Sequence, residues 1–171
     1  VAVIATKILI KLGYSVVVST GKLEEQKEVL LNLGVKDVIH RSEVDDNSGR
    51  PLLRPRWAGV IDTVGGNTLA TAIKTTNYCG AVTTCGNAGG VDFTSSVYPF
   101  ILKGITLYGI DSVDCPMNLR LKIWDLLSNE WKLDDLDDMV NVVSLEELND
   151  SIDSIMAGKH VGRTVVDLEK I

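Results

Sequence analysis

The chain has 171 residues, enough for one domain with a single sizeable core and too few for two domains of ordinary size. Hydrophobic residues make up 45% and charged residues 23%, and no apolar run approaches the roughly 18 residues that span a bilayer, so the composition reads as a soluble globular protein without a membrane segment. A formal net charge of −6 argues against a general affinity for nucleic acid or anionic lipid, since both favour basic surfaces, and leaves a small molecule as the expected partner.

Residues 1–13 have the apolar spacing of a helix that enters without an N-cap and closes at Gly13. A helix with no start is what a truncated chain would show. Residues 14–20 follow as a strand. Residues 22–33 form an amphipathic helix, with Leu23, Val29, Leu30 and Leu33 expected on one face and Gly34 closing it. A short strand, 35–40, leads into a polar connection, 41–56, whose Arg50, Arg54 and Arg56 read as solvated or salt-bridged.

A continuous apolar strand, 57–63, ends in Val64-Gly65-Gly66, and a helix is expected over 68–78. A second apolar strand, 80–85, ends in Gly86-Asn87-Ala88-Gly89-Gly90. Then come a helical turn (99–104), a strand (105–110), a helix (117–127), an acidic link containing Asp134, Asp135, Asp137 and Asp138, and a strand (140–143). Ser144 with Glu147 three residues on is a capping box that opens a helix ending near Gly158, and 162–168 is the last strand.

The cysteines Cys79, Cys85 and Cys115 are odd in number and lack the paired short spacing of a structural zinc site, which fits reduced thiols in the cytoplasm. Cys79 and Cys85 lie in or beside an expected buried strand and read as small hydrophobes. His40 and His160 have no His, Cys or carboxylate partner at ligand spacing, so no metal is expected.

Strands without polar alternation, separated by helices, indicate a parallel sheet covered on both faces: a doubly wound α/β fold of the Rossmann kind. Such a fold binds its ligand outside the carboxyl ends of its strands, where Ser19-Thr20, Thr63-Val64-Gly65-Gly66 and Cys85-Gly86-Asn87 fall. A first strand and its Gly-rich turn should precede the opening helix, and Val1 already stands inside that helix. The expectation is a sheet with a gap where its first strand belongs, and a chain that alone is poorly stable or fills the gap by rearrangement or association.

The turn Ser19-Thr20-Gly21-Lys22 ends the second strand of such a unit, where an acid would accept hydrogen bonds from an NAD ribose. Two hydroxyls and a lysine stand there instead, a set that donates to a 2′-phosphate and offsets its charge, so the turn reads as an NADP-type site. Ser19 and Thr20 equally suit a helix cap. Arg41 alone reads as a surface charge. Asp62 and Asp111 are strand-end carboxylates with no visible proton-transfer partner, and Ser112 has no His/Asp arrangement to make it a nucleophile.

The stretches Lys11-Leu12-Gly13-Tyr14, Ser19-Thr20-Gly21-Lys22, Trp57 to Gly66, Cys85 to Gly90, Pro99 to Gly104, Gly109-Ile110-Asp111-Ser112-Val113 and Gly162-Arg163-Thr164-Val165-Val166 resemble, in order and spacing, the zinc-independent medium-chain dehydrogenase/reductases of quinone-oxidoreductase type, closest to the acrylyl-CoA reductase subgroup. The resemblance implies that residues 1–171 are a partial NADP-binding Rossmann domain. Residues 159–171 would return toward an N-terminal catalytic domain absent from this chain. It implies that Ser19, Thr20, Gly21 and Lys22 hold the 2′-phosphate with help from Arg41. Val64 and the Cys85-Gly86-Asn87 loop would pass beside the ribose and nicotinamide, and Ile101 and Ser112 would complete the cleft. Asn87 stands where the family commonly has leucine.

The implied parent enzyme transfers a hydride from NADPH to an activated alkene, an enoyl-CoA such as acrylyl-CoA, or to a quinone, and the fragment alone would be inactive. It is cytoplasmic and dimerises through the sheet edge near 107–110. A non-catalytic nucleotide-responsive or assembly module is the alternative. A methyltransferase-like domain would want an acid at the second strand's end, where Lys22 weighs against it.

Overall fold

Apolar spacing and a terminal glycine set the first element. The computed structural model, which describes residues 1–160 and 162–170, has helix α1 at Ala2–Lys11, with no side-chain cap at Val1. At its other end Gly13 takes φ +83°, and the amides of Gly13 and Tyr14 donate to the carbonyls of Ile10 and Leu9, a Schellman closure that only a left-handed residue permits. Val161 and Ile171, both inside the expected 159–171 segment, lie outside the described residues.

The chain divides into two compact units, Val1–Trp131 and Lys132–Ile171. In the first, β1 (Val17–Thr20) pairs in parallel with β2 (Asp37–His40), and α2 (Leu23–Asn32) crosses between them. Leu30, Val35 and Val38 are buried there, with Ile10, Val16, Val18, Leu23 and Leu33 packed around them. Val29 departs from the expected face: it is 60% exposed. At about 100° per residue Leu23, Leu30 and Leu33 fall within an arc of about 80°, and Val29 lies about 40° beyond Leu33, at the solvent edge of the stripe.

After a 3-10 turn at Arg41–Val44, the connection docks on the next helix. A three-stranded parallel sheet follows, in the order β3 (Trp57–Asp62), β4 (Thr76–Thr84), β5 (Thr106–Gly109), with α3 (Gly66–Thr75) and α4 (Tyr98–Lys103) as its crossovers. Its core is Leu69, Ala72, Ile73, Val82 and Ile105, with Val60, Phe100 and Leu107 against it. Helix α5 (Met117–Ser128) closes the unit. Three backbone carbonyls, of Lys74, Leu53 and Thr76, accept from Lys103 Nζ at 2.9, 3.3 and 3.3 Å, tying α4 to the start of β4, and burial lowers the pKa of that ammonium.

Two expectations are corrected in this sheet. The helix expected over 68–78 ends at Thr75, and Thr76, Asn77 and Tyr78 belong to β4. The hydroxyls of Thr75 and Thr76 donate back to the carbonyls of Thr71 and Ala72, both at 2.7 Å, a local competition that stops a helix. A register shift opposite Trp57–Gly59 then absorbs Cys79, whose φ is +56°. Cys79 and Cys85 are exposed rather than buried, Cys79 on that bulge and Cys85 in the loop beyond β4, and Cys115 is half-buried.

Among the described residues no ladder joins β1 to β3. The order β2–β1 and then β3–β4–β5, all parallel, is that of a doubly wound sheet on either side of its central strand. Consistent with one unpaired edge, β3 is poorly covered: Ala58 and Gly59 are exposed, and Ile61 is 43% exposed.

In the second unit, β6 (Val140–Val143) pairs in parallel with β7 (Arg163–Val166) across α6 (Leu148–Met156). The capping box forms. Ser144 N donates to Glu147 Oε2 at 2.8 Å and Glu147 N to Ser144 Oγ at 3.4 Å, immediately ahead of α6. That amide bond, with Lys170 at 3.6 Å, lowers the Glu147 pKa.

Candidate functional site

Parallel strands bring their carboxyl ends to one side, and the register makes this concrete: Asp62, Thr84 and Gly109 are aligned across β3, β4 and β5. Asp62 is 4% exposed, and its carboxylate is the keystone of the loops beyond. Oδ1 accepts from the amides of Val64 (3.2 Å) and Gly65 (3.1 Å), while Oδ2 accepts from Gly65 (3.1 Å) and from Thr84 Oγ1 at 2.9 Å. The Asp62 carbonyl takes the amide of Cys85 at 3.0 Å. A carboxylate engaged with three donors is a loop cap rather than a proton carrier.

The loops after β3 and β4 interlock through glycine. Gly89 N donates to Val64 O at 2.7 Å. A Cβ on Gly86 would stand 2.2 Å from the Thr63 carbonyl oxygen, one on Gly65 2.5 Å from Gly90 O, and one on Gly66 2.6 Å from Gly89 O. Two backbones therefore touch with no side chain between them, and Val64, Cys85, Gly86 and Asn87 share one platform. The sequence pointed to the loops; the signal for their mutual contact was the pair of Gly-Gly steps, Gly65-Gly66 and Gly89-Gly90, following adjacent strands.

A second group gathers at the ends of β1 and β2, where Thr20 is in register with His40. Thr20 Oγ1 accepts from Lys22 N at 3.1 Å, a local turn bond, yet α2 begins at Leu23 with no side-chain cap, so the cap reading holds for Thr20 only in this limited form. Ser19 is exposed, and Thr20 and Lys22 are half-buried. Arg41 folds back over the turn: a Cβ on Gly21 would lie 2.9 Å from its Nε and 3.0 Å from its Cζ. Gly21, Lys22, Leu23, Glu24, Glu25 and His40 line a depression of about 360 Å³ beside it. His40 was not expected here; its Nδ1 bonds Ser42 Oγ at 2.8 Å and helps hold the 3-10 turn that carries Arg41.

The remaining expected residues are less engaged. Ile101 is 69% exposed on α4. Ser112 is exposed in the loop after β5, where its carbonyl accepts from Arg120 at 2.6 Å. Asp111 caps that loop through the amides of Val113 (2.8 Å) and Asp114 (3.3 Å). No group of three or more His, Cys, Asp or Glu side chains that would hold a metal occurs among the described residues.

Strand order, parallel ladders and loops gathered at the carboxyl ends define the nucleotide-binding half of a Rossmann-type protein. A family model described as zinc-binding dehydrogenase matches residues 1–129, and the chain is 41% identical over 166 residues to Bacillus subtilis YhfP, which carries a quinone-oxidoreductase name, and 37% identical over 165 to the acrylyl-CoA reductase AcuI of Ruegeria pomeroyi. The chain belongs to this dehydrogenase family, in its zinc-independent quinone-oxidoreductase and acrylyl-CoA reductase type.

Each alignment covers 96% of this chain and 50% of the relative, so the chain spans about half the length of the curated relatives it matches. Solved structures agree over the same 96% of this chain and 50% of theirs: Bacillus subtilis YhfP with NAD bound, at a TM-score of 0.89 and 41% identity, and Escherichia coli K-12 YhdH with bound NADPH, at 0.88 and 37%.

Proposed function

We propose that the chain is the cofactor-binding portion of an NADPH-dependent, zinc-independent oxidoreductase that reduces an activated alkene, an enoyl-CoA such as acrylyl-CoA, or a quinone. The observation that carries this reading is Arg41 laid over the 19–22 turn: its guanidinium packs at Gly21, between the hydroxyl residues Ser19 and Thr20 and the ammonium residue Lys22 in sequence, and no acid stands within 19–22, the first being Glu24 on α2. That set fits a 2′-phosphate, which takes charge-assisted hydrogen bonds from all four.

The rest of the cofactor fits the glycine platform. Glycine contacts at Gly65, Gly66, Gly86 and Gly89 lock the loops after β3 and β4 together, and the locked pair would present Val64, Cys85 and Asn87 beside a ribose and a nicotinamide ring. Val64, Cys85, Gly86 and Asn87 would hold them, with Ile101 and Ser112 at the far side. The cofactor supplies the hydride; the chain's residues bind it and orient it. Asp62 and Asp111 are engaged as loop caps, so groups for substrate and proton delivery would come from outside residues 1–171.

No helix among the described residues is long and apolar enough to cross a membrane, and we assign the enzyme to the cytoplasm. β5 is an edge strand with Tyr108 52% exposed, and with Ile110 just beyond it 53% exposed, and we assign it the contact of a homodimer. The activity is tested by following NADPH oxidation by the full-length protein with acrylyl-CoA and with a quinone. The reading expects substrate-dependent oxidation with one of them. Oxidation of NADPH with neither, by protein that binds NADPH, contradicts the catalytic part and favours the nucleotide-responsive alternative.

A further inference from the structure

Gly21 needs an explanation that backbone conformation does not give. It is not among the residues with left-handed φ, so an alanine would suit its backbone equally well. What fills the space of a methyl group there is Arg41, with Nε at 2.9 Å, Cζ at 3.0 Å and Cδ at 3.2 Å from the Cβ position. The Arg41 side chain, from Cδ to Cζ, thus occupies the place a side chain at position 21 would take. It has no hydrogen bond or ion pair to any described residue, so its five donors are not committed elsewhere.

We propose that Gly21 is a specificity-determining residue: the missing Cβ is the seat of the Arg41 guanidinium and fixes it where a 2′-phosphate is read. The proposal rests on the assignment of the 19–22 turn to that phosphate. The crowded atoms are the far end of a flexible side chain rather than backbone, so a methyl at position 21 displaces the arginine and leaves the turn standing. Glycine here selects between nucleotides through another residue. That makes Gly21 a positioning residue, and its signature is that it has no effect once Arg41 is gone.

The test is the ratio of NADPH to NADH affinity, measured by calorimetric titration of the full-length protein. Three variants are compared with the parent: Gly21→Ala, Arg41→Ala and the two combined, each with its thermal midpoint. Arg41→Ala should lower the ratio about tenfold, Gly21→Ala about fivefold, and the combination no further than Arg41→Ala alone, the non-additivity of two changes acting through one contact. An unchanged ratio in Gly21→Ala beside a lowered one in Arg41→Ala overturns the seat and leaves the phosphate assignment in place; so does an additive loss. An unchanged ratio in Arg41→Ala overturns both. Failure of Gly21→Ala to fold even with Arg41→Ala would assign the glycine to the backbone and overturn the proposal.

Discussion

Asp62 and Arg41 illustrate two uses of charge at strand ends. The Asp62 carboxylate is buried and answers three donors, so it behaves as part of the backbone of two loops. Asp62→Asn keeps the shape but turns one acceptor into a donor facing amides. It should cost about 1.5–3 kcal/mol in denaturant unfolding of the full-length protein, the range for a hydrogen bond to a charged group. A loss below about 0.5 kcal/mol, within the usual scatter of surface substitutions, would remove Asp62 from its keystone role. This role was half-legible in the sequence: a strand-end carboxylate before Val64-Gly65-Gly66 announces a cap, but which donors it serves depends on Thr84 arriving from the next strand. Arg41 was less legible still. Only the return of the chain past Gly21 separates it from any other surface arginine.

At the scale of elements, boundaries follow local chemistry that the sequence displays openly in some places and hides in others. The capping box at Ser144 and Glu147 was plain from spacing, and Ser144→Ala should destabilise the full-length protein by about 0.5–2 kcal/mol, the range for a lost cap, in chemical denaturation. An unchanged midpoint would mean that α6 is held by packing alone. The early end of α3 was hidden, because threonine hydroxyls bonding back to Thr71 and Ala72 become visible only when the turn exists.

The dock of the 41–56 connection on α3 was equally hidden, since Asp46 and Lys74 are far apart in sequence. In the fold Asp46 N meets Thr71 Oγ1 at 2.8 Å and its carboxylate meets Lys74 Nζ at 3.0 Å. Hydrogen bonding from Ser48, then Lys74, lowers the Asp46 pKa. The native state therefore holds this carboxylate ionised to lower pH than the unfolded chain does. Its stabilisation is present above the ordinary carboxylate range and disappears as pH falls through the lowered pKa. The thermal midpoint of the parent should drop more between about pH 5 and pH 3 than that of Asp46→Asn; parallel curves would contradict the dock.

At the scale of the whole molecule, the expected doubly wound order is there, and so is the expected interruption. β1 and β3 each carry one edge that no described strand pairs, and Ile61 of β3 is exposed. Unpaired edges with apolar neighbours recruit other strands. The 171-residue chain expressed by itself should sediment as associated species or melt well below the full-length protein, and a monomer with an equal melting midpoint would contradict that. The class of fold was legible because alternating apolar strands and amphipathic helices have few other solutions. Burial was not, since an apolar strand such as β3 is covered only when both its neighbours are present. The central claim, that the 19–22 turn and Arg41 read a 2′-phosphate, is tested most directly by titrating NADPH and NADH into the full-length protein and into its Lys22→Ala/Arg41→Ala variant. The account predicts at least about tenfold tighter binding of NADPH by the parent and loss of that preference in the variant; equal affinities in the parent, or a preference that survives both substitutions, would contradict it.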